Sequence, residues 1–239
     1  MKTRSFKYCM KKYINIHTHH IINSADDIFS LYNISQEEFI LTDNELINNK
    51  LVGNEQCRFS AGIHPWHIAG DVENDVENKM ARLDQIVADK NIIAIGETGL
   101  DKLCAVDFNL QKRVFAHHIA IAAEHKKPLI IHCVKAWSET MQMLKDSSTR
   151  VPVLFHGFRG KPHLAGKLLD AGFYLSFGAL FNKESLKITP LERIFMETDN
   201  QNISIKEVYK AVAEVKGVTV EELVGIVGEN FRRVFFCTN

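Results

Sequence analysis

Two histidines separated by one residue end an apolar stretch near the start of the chain. Ile14 and Ile16 show the alternation of a short buried strand, and His17 and His19 complete the stretch. Residues i and i+2 of a strand face the same way, so both imidazoles are expected to point toward one place. Imidazoles that converge at a strand end suit zinc, manganese or a similar divalent ion. This pair therefore predicts a metal site.

Later apolar runs of the chain also end on residues of metal-binding type. Any one of these could instead be a core histidine or a carboxylate that caps a loop. Their joint occurrence at successive strand ends favours a common site. The residues concerned are His64, Glu97, His132, His156 and Asp199. Four other histidines lie within predicted helices or near a helix start and are interpreted as structural: His117, His118, His125 and His163.

Four histidines and two carboxylates exceed the needs of one tetrahedral ion, so we expect two ions bridged by Glu97. Imidazole and carboxylate ligands suit zinc, manganese, nickel or iron, whereas magnesium is less natural with four histidines. Such a site activates water for hydrolysis, and Asp199 is expected to take or orient the proton of that water. Besides Glu97, the ligands expected are His17, His19 and Asp199 for one ion and His132 and His156 for the other.

The composition excludes several classes of protein. The chain has 239 residues, of which 46% are hydrophobic and 24% are charged, and its formal net charge is zero. A zero net charge argues against an extended surface that binds DNA independently of its sequence. No apolar run is long enough for a membrane span. The five cysteines are scattered and never form Cys-x-x-Cys, as expected of a reduced, cytoplasmic protein. Residues 1–12 are basic, lack the apolar part of a secretory signal, and are interpreted as a flexible extension.

The positions of the strand patterns predict the fold. Eight apolar runs alternate mostly with amphipathic stretches, which favours parallel strands joined by right-handed helical crossovers. We expect residues 13–239 to form one domain, a TIM-type (β/α)8 barrel distorted at its second strand, with a doubly wound open sheet as the alternative. In such a barrel the active site lies at the carboxyl ends of the strands. The predicted strand stretches are 13–20, 28–32, 58–63, 92–96, 129–131, 151–155, 173–177 and 194–196.

At these residues the chain resembles the TatD family of metal-dependent deoxyribonucleases, within the amidohydrolase-like barrel superfamily. The resemblance implies a (β/α) barrel, divalent metal and hydrolysis of phosphodiester bonds, often from the 3′ end of DNA. It also implies that His64 lies near the substrate phosphate and that six residues hold the metal: His17, His19, Glu97, His132, His156 and Asp199. The resemblance rests on His17-x-His19, Gly62-Ile63-His64-Pro65, the stretch 95–101, Pro128 to His132, the stretch 156–160, Glu197-Thr198-Asp199 and the closing stretch 229–235.

The chain departs from the family pattern at positions that we interpret as the substrate side. Asn15 replaces an aspartate, and Val134 and Lys135 stand where an arginine and an aspartate are usual. The loop after Asp199 is shortened to Asn200-Gln201-Asn202. Arg159 is a candidate replacement for the missing arginine, because a guanidinium can donate two parallel hydrogen bonds to a phosphate or carboxylate.

The predicted function is metal-dependent hydrolysis of phosphodiester bonds, with short or single-stranded DNA ends as substrate. The alternative is a hydrolase of a small-molecule amide, lactone or phosphoester on the same barrel, which the substrate-side changes favour. A third interpretation is a barrel that only binds a ligand. Retention of all six ligand-type residues speaks against it.

Overall fold

The described residues of this computed structural model fall into two groups of strands and helices. The model describes residues 12–20, 26–34, 56–68 and 75–236. We call Met1–Tyr32 with Leu154–Asn239 the terminal unit, and Asn33–Val153 the middle unit. Residues 1–11 of the predicted extension and residues 35–55 lie outside the described residues, and the single domain at 13–239 stays a prediction.

The described strands begin within two residues of the predicted positions. The strands are β1 (Tyr13–Thr18), β2 (Ile28–Asn33), β3 (Cys57–Ala61), β4 (Ile92–Asp101), β5 (Leu129–Val134), β6 (Val153–Phe155), β7 (Tyr174–Phe177) and β8 (Ile194–Met196). The helices are α1 (Asp75–Ile86), α2 (Phe108–His125), α3 (Trp137–Asp146), α4 (Pro162–Asp170), α5 (Lys183–Ile188), α6 (Ile205–Lys216) and α7 (Val220–Phe236), with 3-10 turns at Pro65–His67 and Leu191–Arg193. None of the helices in the described ranges is long and apolar enough to cross a membrane.

In the terminal unit, the first strand lies beside the last. β1 pairs in parallel with β2, and β7 pairs in parallel with β6 and β8. A parallel bridge joins Thr18, at the end of β1, to Asp199, just after β8. The β1–β2 register is irregular between Asn15 and Thr18. The carboxyl ends of β1 and β8 are therefore neighbours, a contact that an open doubly wound sheet does not make.

Helices α6 and α7 hold the terminal strands in place. The buried Tyr209 hydroxyl of α6 accepts a hydrogen bond from the Ile14 amide at 3.0 Å and donates one to the Ile14 carbonyl at 3.1 Å. A capping box begins α7: the Glu222 amide donates to Thr219 Oγ1, and the Thr219 amide donates to Glu222 Oε2. The two hydrogen bonds of Tyr209 anchor the strand that carries His17.

In the middle unit, β4 pairs in parallel with both β3 and β5. β4 is longer than predicted, because the glycine-containing stretch after Gly96 continues the ladder with β5 as far as Asp101. Gly62 lies directly against β4, where a Cβ atom would come within 2.7 Å of the Glu97 carbonyl oxygen. Asn33 Oδ1 accepts hydrogen bonds from the Glu97 amide at 2.7 Å and from Ser60 Oγ at 3.0 Å. The backbone of Glu97 is therefore packed closely against Gly62 and hydrogen-bonded to Asn33.

Candidate metal centre

The terminal unit gathers three imidazoles and a carboxylate at the ends of β1, β6 and β8. His17 Nε2 lies 3.6 Å and His19 Nε2 lies 3.5 Å from the same oxygen, Oδ1 of Asp199. The rings of His17 and His156 have centroids 4.5 Å apart. His17, His156 and Asp199 each offer a ligand atom within 4.8 Å of the others. Of the predicted ligands, these four are therefore brought together within one unit.

Backbone hydrogen bonds fix this cluster. The Asp199 amide donates to the His17 carbonyl at 3.0 Å, and the His19 amide donates to the Asp199 carbonyl at 3.2 Å. Asp199 has a φ of 52°, in the left-handed region that is uncommon for residues other than glycine but that aspartate tolerates better than most. This conformation is one that functional sites often retain at a small energetic cost.

The distances in this cluster fit a shared cation better than direct hydrogen bonds. Ligand atoms that are each about 2.1 Å from a tetrahedral ion lie roughly 3.4 Å from one another. The two distances from Asp199 Oδ1, 3.5 and 3.6 Å, are close to this value and long for a hydrogen bond between ions. Imidazole nitrogen with carboxylate oxygen is also the donor set of zinc and manganese sites. The residues present therefore fit a divalent metal.

Glu197 lies behind this cluster and was not among the predicted site residues. It is fully buried, and its Oε1 accepts a hydrogen bond from the Gly157 amide at 2.6 Å and lies 3.6 Å from Nδ1 of His156. Its Oε2 is buried with no hydrogen-bond partner among the residues that the structure describes. A carboxylate beside one ring nitrogen of a histidine orients the other nitrogen toward a metal. Glu197 is placed to do this for His156.

Asn15 has a structural contact that the sequence interpretation missed. We assigned this departure from the family pattern to the substrate side, but Asn15 is fully buried. Its Nδ2 donates to Thr198 Oγ1 at 2.8 Å, and its Oδ1 accepts from the Thr198 amide at 3.0 Å. The assignment is therefore wrong: the Asn15 side chain ties β1 to the residue that precedes Asp199.

The middle unit contains a second cluster, around Glu97. Oε1 of this buried carboxylate lies 3.2 Å from His64 Nε2 and 3.0 Å from His132 Nδ1. The two imidazole rings have centroids 4.3 Å apart. All three side chains offer ligand atoms within 4.8 Å of one another. His64, expected from the resemblance to lie near substrate, thus shares a carboxylate oxygen with a predicted metal ligand.

Asp101 supports this cluster from the end of β4. Its Oδ2 accepts a hydrogen bond from Trp66 Nε1 at 2.7 Å and lies 3.4 Å from His132 Nε2. Burial acts to raise the pKa of this carboxyl, but the hydrogen bonds that it accepts, first of them from Trp66, hold the pKa below its ordinary value. Asp101 is therefore an anion that orients the ring of His132.

His118 positions the loop that carries His64. This histidine of α2 is fully buried; its Nε2 accepts from the Ile63 amide at 2.8 Å, and its Nδ1 lies 2.7 Å from the Val114 carbonyl. Nδ1 therefore carries the proton. Burial lowers the pKa of His118 to about 4, so the ring is neutral near pH 7. The structural interpretation of this histidine fits these contacts, although its link to His64 was not foreseen.

Arg159 lies on a loop with a fixed backbone. The neighbouring Phe158 amide donates to the Ser176 carbonyl at 2.9 Å, and the Gly160 carbonyl accepts from Ser185 Oγ at 2.6 Å. The Arg159 side chain itself is exposed. In the middle unit, Lys135 is also exposed and has a positive φ of 55°.

One protein-family model matches a stretch of the chain that includes nearly all of the site residues just described. The model of the TatD-related DNase family matches residues 17–236. The chain belongs to this family. The predicted family is thus confirmed, and with it the enzyme class of metal-dependent hydrolase.

Two relatives agree with this assignment by sequence, and a crystal structure shares the fold. The chain is 33% identical to the metal-dependent hydrolase YcfH of Escherichia coli over 208 residues, 77% of this chain and 76% of YcfH. It is 29% identical to a protein of Pantoea ananatis named 3′-5′ ssDNA/RNA exonuclease TatD, over 76% of this chain and 78% of that protein. The crystal structure of YjjV, a TatD homologue from Escherichia coli, superposes with a TM-score of 0.79 at 18% identity, over 95% of this chain and 98% of YjjV.

The similarity to YjjV concerns the fold alone. The order of strands and helices in this chain agrees with it. The described strands are eight in number, the pairs within each unit are parallel, and most strands are followed by a helix. Together these findings confirm the predicted TIM-type (β/α)8 fold class.

Proposed function

We propose that this TatD-family protein is an exonuclease that hydrolyses phosphodiester bonds at the 3′ ends of short or single-stranded DNA. The observation that supports this most strongly is the pair of imidazole and carboxylate clusters at strand ends, around Asp199 and around Glu97. The name of the Pantoea ananatis relative, a 3′-5′ ssDNA/RNA exonuclease, supports a nucleic-acid substrate and extends the substrate class to RNA.

We infer that two divalent ions are the cofactors, with zinc and manganese the best match to the ligands and magnesium a weaker one. When bound, such ions lower the pKa of water toward neutrality and offset the negative charge of a phosphate. The bridging role of Glu97 and the sharing of one ion by His132 and His156 stay predictions from the sequence. The proposed ligands are His17, His19, Glu97, His132, His156 and Asp199.

The proposed roles of the other groups follow from their exposure and charge. The Asp199 side chain is 30% exposed, so its carboxylate is accessible to water and can accept a proton from the attacking molecule. His64 is proposed to lie near the substrate phosphate, with its Nδ1 accepting from the Trp66 amide and its Nε2 directed at Glu97. Arg159, exposed on a loop with a fixed backbone, is proposed to bind a second phosphate.

The test is metal analysis of the purified protein together with cleavage of a single-stranded oligonucleotide labelled at its 5′ end. We expect about two ions per chain and a ladder of products shortened from the 3′ end, abolished by a chelator and restored by zinc or manganese. Bound metal without cleavage of DNA or RNA would refute the nuclease proposal.

A small-molecule ester, lactone or amide is the second candidate substrate. It is favoured by Val134, which stands at the end of β5 where the family pattern has an arginine, and by the zero net charge of the chain. Hydrolysis of model phosphoesters and lactones by a metal-loaded protein that leaves oligonucleotides intact would support this candidate.

A further inference from the structure

An exposed tryptophan lies at the edge of the Glu97 cluster. Trp66 is 60% exposed, and its ring centroid is 5.0 Å from that of His64 and 6.0 Å from that of His132. The interplanar angles between the indole and the imidazoles of His64 and His132 are 84° and 74°, so neither imidazole stacks in parallel on the indole. Among the described residues, the rings of His64 and His132 are the aromatic neighbours of Trp66. The indole therefore presents a broad apolar surface next to the proposed metal ligands.

Hydrogen bonds hold this indole in one orientation. Its Nε1 donates to Asp101 Oδ2 at 2.7 Å, and its backbone amide donates to His64 Nδ1 at 3.1 Å. Trp66 also follows Pro65 in a 3-10 turn, which restricts the backbone. The polar edge of the ring is thus satisfied by a residue that is only 2% exposed, while the ring itself remains in solvent.

Asp101 anchors a second exposed apolar residue by its other oxygen. The Leu103 amide donates to Asp101 Oδ1 at 2.7 Å, and Leu103 is 72% exposed. Single exposed apolar side chains are common on protein surfaces and need no explanation. Here a buried carboxylate uses both of its oxygens to hold two such residues beside a cluster of ligand type.

We propose that Trp66, flanked by Leu103, is a stacking platform for a nucleobase of the strand being cleaved. The inference rests on the proposed nuclease function and names a contact that the phosphate-binding groups do not supply. A nucleobase is the occupant that fits, because the platform adjoins His64, which is proposed to lie near the phosphate. Stacking on an aromatic ring tolerates any base, as an enzyme that shortens strands of varied sequence requires.

The first test compares an ordinary strand with one that has abasic sites at its three 3′-terminal positions. Trp66→Ala should lower kcat/KM on the ordinary strand by about tenfold, the size expected for loss of one base stack, mainly through KM. It should leave kcat/KM on the abasic strand and the metal content unchanged, and Trp66→Phe should recover most of the loss. Ile188→Ala, which removes an exposed apolar side chain at the end of α5, is the matched control. An equal loss on both strands would mean that Trp66 acts only on the protein structure.

The second test does not depend on cleavage. The chain has two tryptophans, so Trp137→Phe leaves Trp66 as the single indole. Without metal, a single-stranded oligonucleotide should quench the fluorescence of this variant, and the abasic strand should quench it much less. Failure of the unaltered, metal-loaded protein to cleave any strand would refute the proposed function, whereas equal quenching by both strands, or none, would refute the platform itself.

Discussion

His17 and Asp199 meet through both backbone and side chain. The Asp199 amide donates to the His17 carbonyl at 3.0 Å, and His17 Nε2 lies 3.6 Å from Asp199 Oδ1. The backbone bond sets the position of the carboxylate relative to the imidazole, so the pair is arranged before any cation arrives. A site with its donors already in place loses less conformational entropy on binding a metal.

Asp199→Asn tests the charge of this carboxylate while keeping its shape. We expect the variant to bind less metal and to lose activity by at least about a hundredfold, because both ion attraction and proton acceptance need the anion. Elemental analysis after dialysis and single-turnover cleavage would measure the two effects. Asp170→Asn, at the exposed end of α4, should leave both unchanged. Normal metal content and rate in Asp199→Asn would contradict the assigned role.

Glu97→Gln tests the middle-unit cluster. Both His64 and His132 lie within 3.2 Å of Glu97 Oε1, so loss of its charge should weaken cation binding and activity together. If Glu97 bridges two ions, as the sequence predicts, neither ion should be retained fully. The exposed Glu124→Gln of α2 is the control. Retention of about two ions per chain in Glu97→Gln would rule out a bridge.

Glu197→Gln separates orientation of a ligand from folding. The amide oxygen can still accept the hydrogen bond from Gly157, but the charge beside His156 Nδ1 is lost. We expect metal affinity to fall about tenfold or more, with activity largely recovered at saturating metal and little change in Tm. Metal titration and thermal unfolding would be measured together, with exposed Glu192→Gln as control. A lowered Tm with unchanged affinity would make Glu197 a purely structural residue.

Because His118 is buried, we expect the protein to lose stability in mild acid. Burial lowers the pKa of this imidazole to about 4, whereas the unfolded chain protonates near its ordinary value of about 6.5. The unfolded state therefore binds more protons between these values, and the free energy of unfolding should fall by about 3 kcal/mol as pH decreases from 7 to 4.

Urea unfolding of His118→Gln would isolate this contribution. The variant should be less stable than the parent at pH 7, because a flexible amide replaces a rigid ring that makes two buried hydrogen bonds, to Ile63 and Val114. It should also show a shallower pH dependence of stability between pH 6.5 and 4. His163→Gln, at the exposed start of α4, should keep the parental slope. An unchanged slope in His118→Gln would show that other groups cause the acid sensitivity.

Local patterns were sufficient to locate the strands and the residues at their ends. The residues before His17 and before His132 each form a short apolar run that predicts a buried strand. Parallel strands bring their carboxyl ends to the same edge of the sheet. The length of β4 was underestimated, because residues 97–101 join the strand by pairing with β5 and not by a periodicity of their own. Helix α5 was not predicted either, since its six residues are too few to show a helical repeat.

The sequence by itself determined the family, the fold class and the set of ligand-type side chains, because each is encoded in short motifs and local periodicity. Only the tertiary structure decided which atoms meet. It paired Asn15 with Thr198 across 183 positions of the chain, and Trp66 with Asp101 across 35. Such contacts depend on strand register and on how turns and helices cover the strands, and a shift of one residue in β1 would turn Asn15 to the other face.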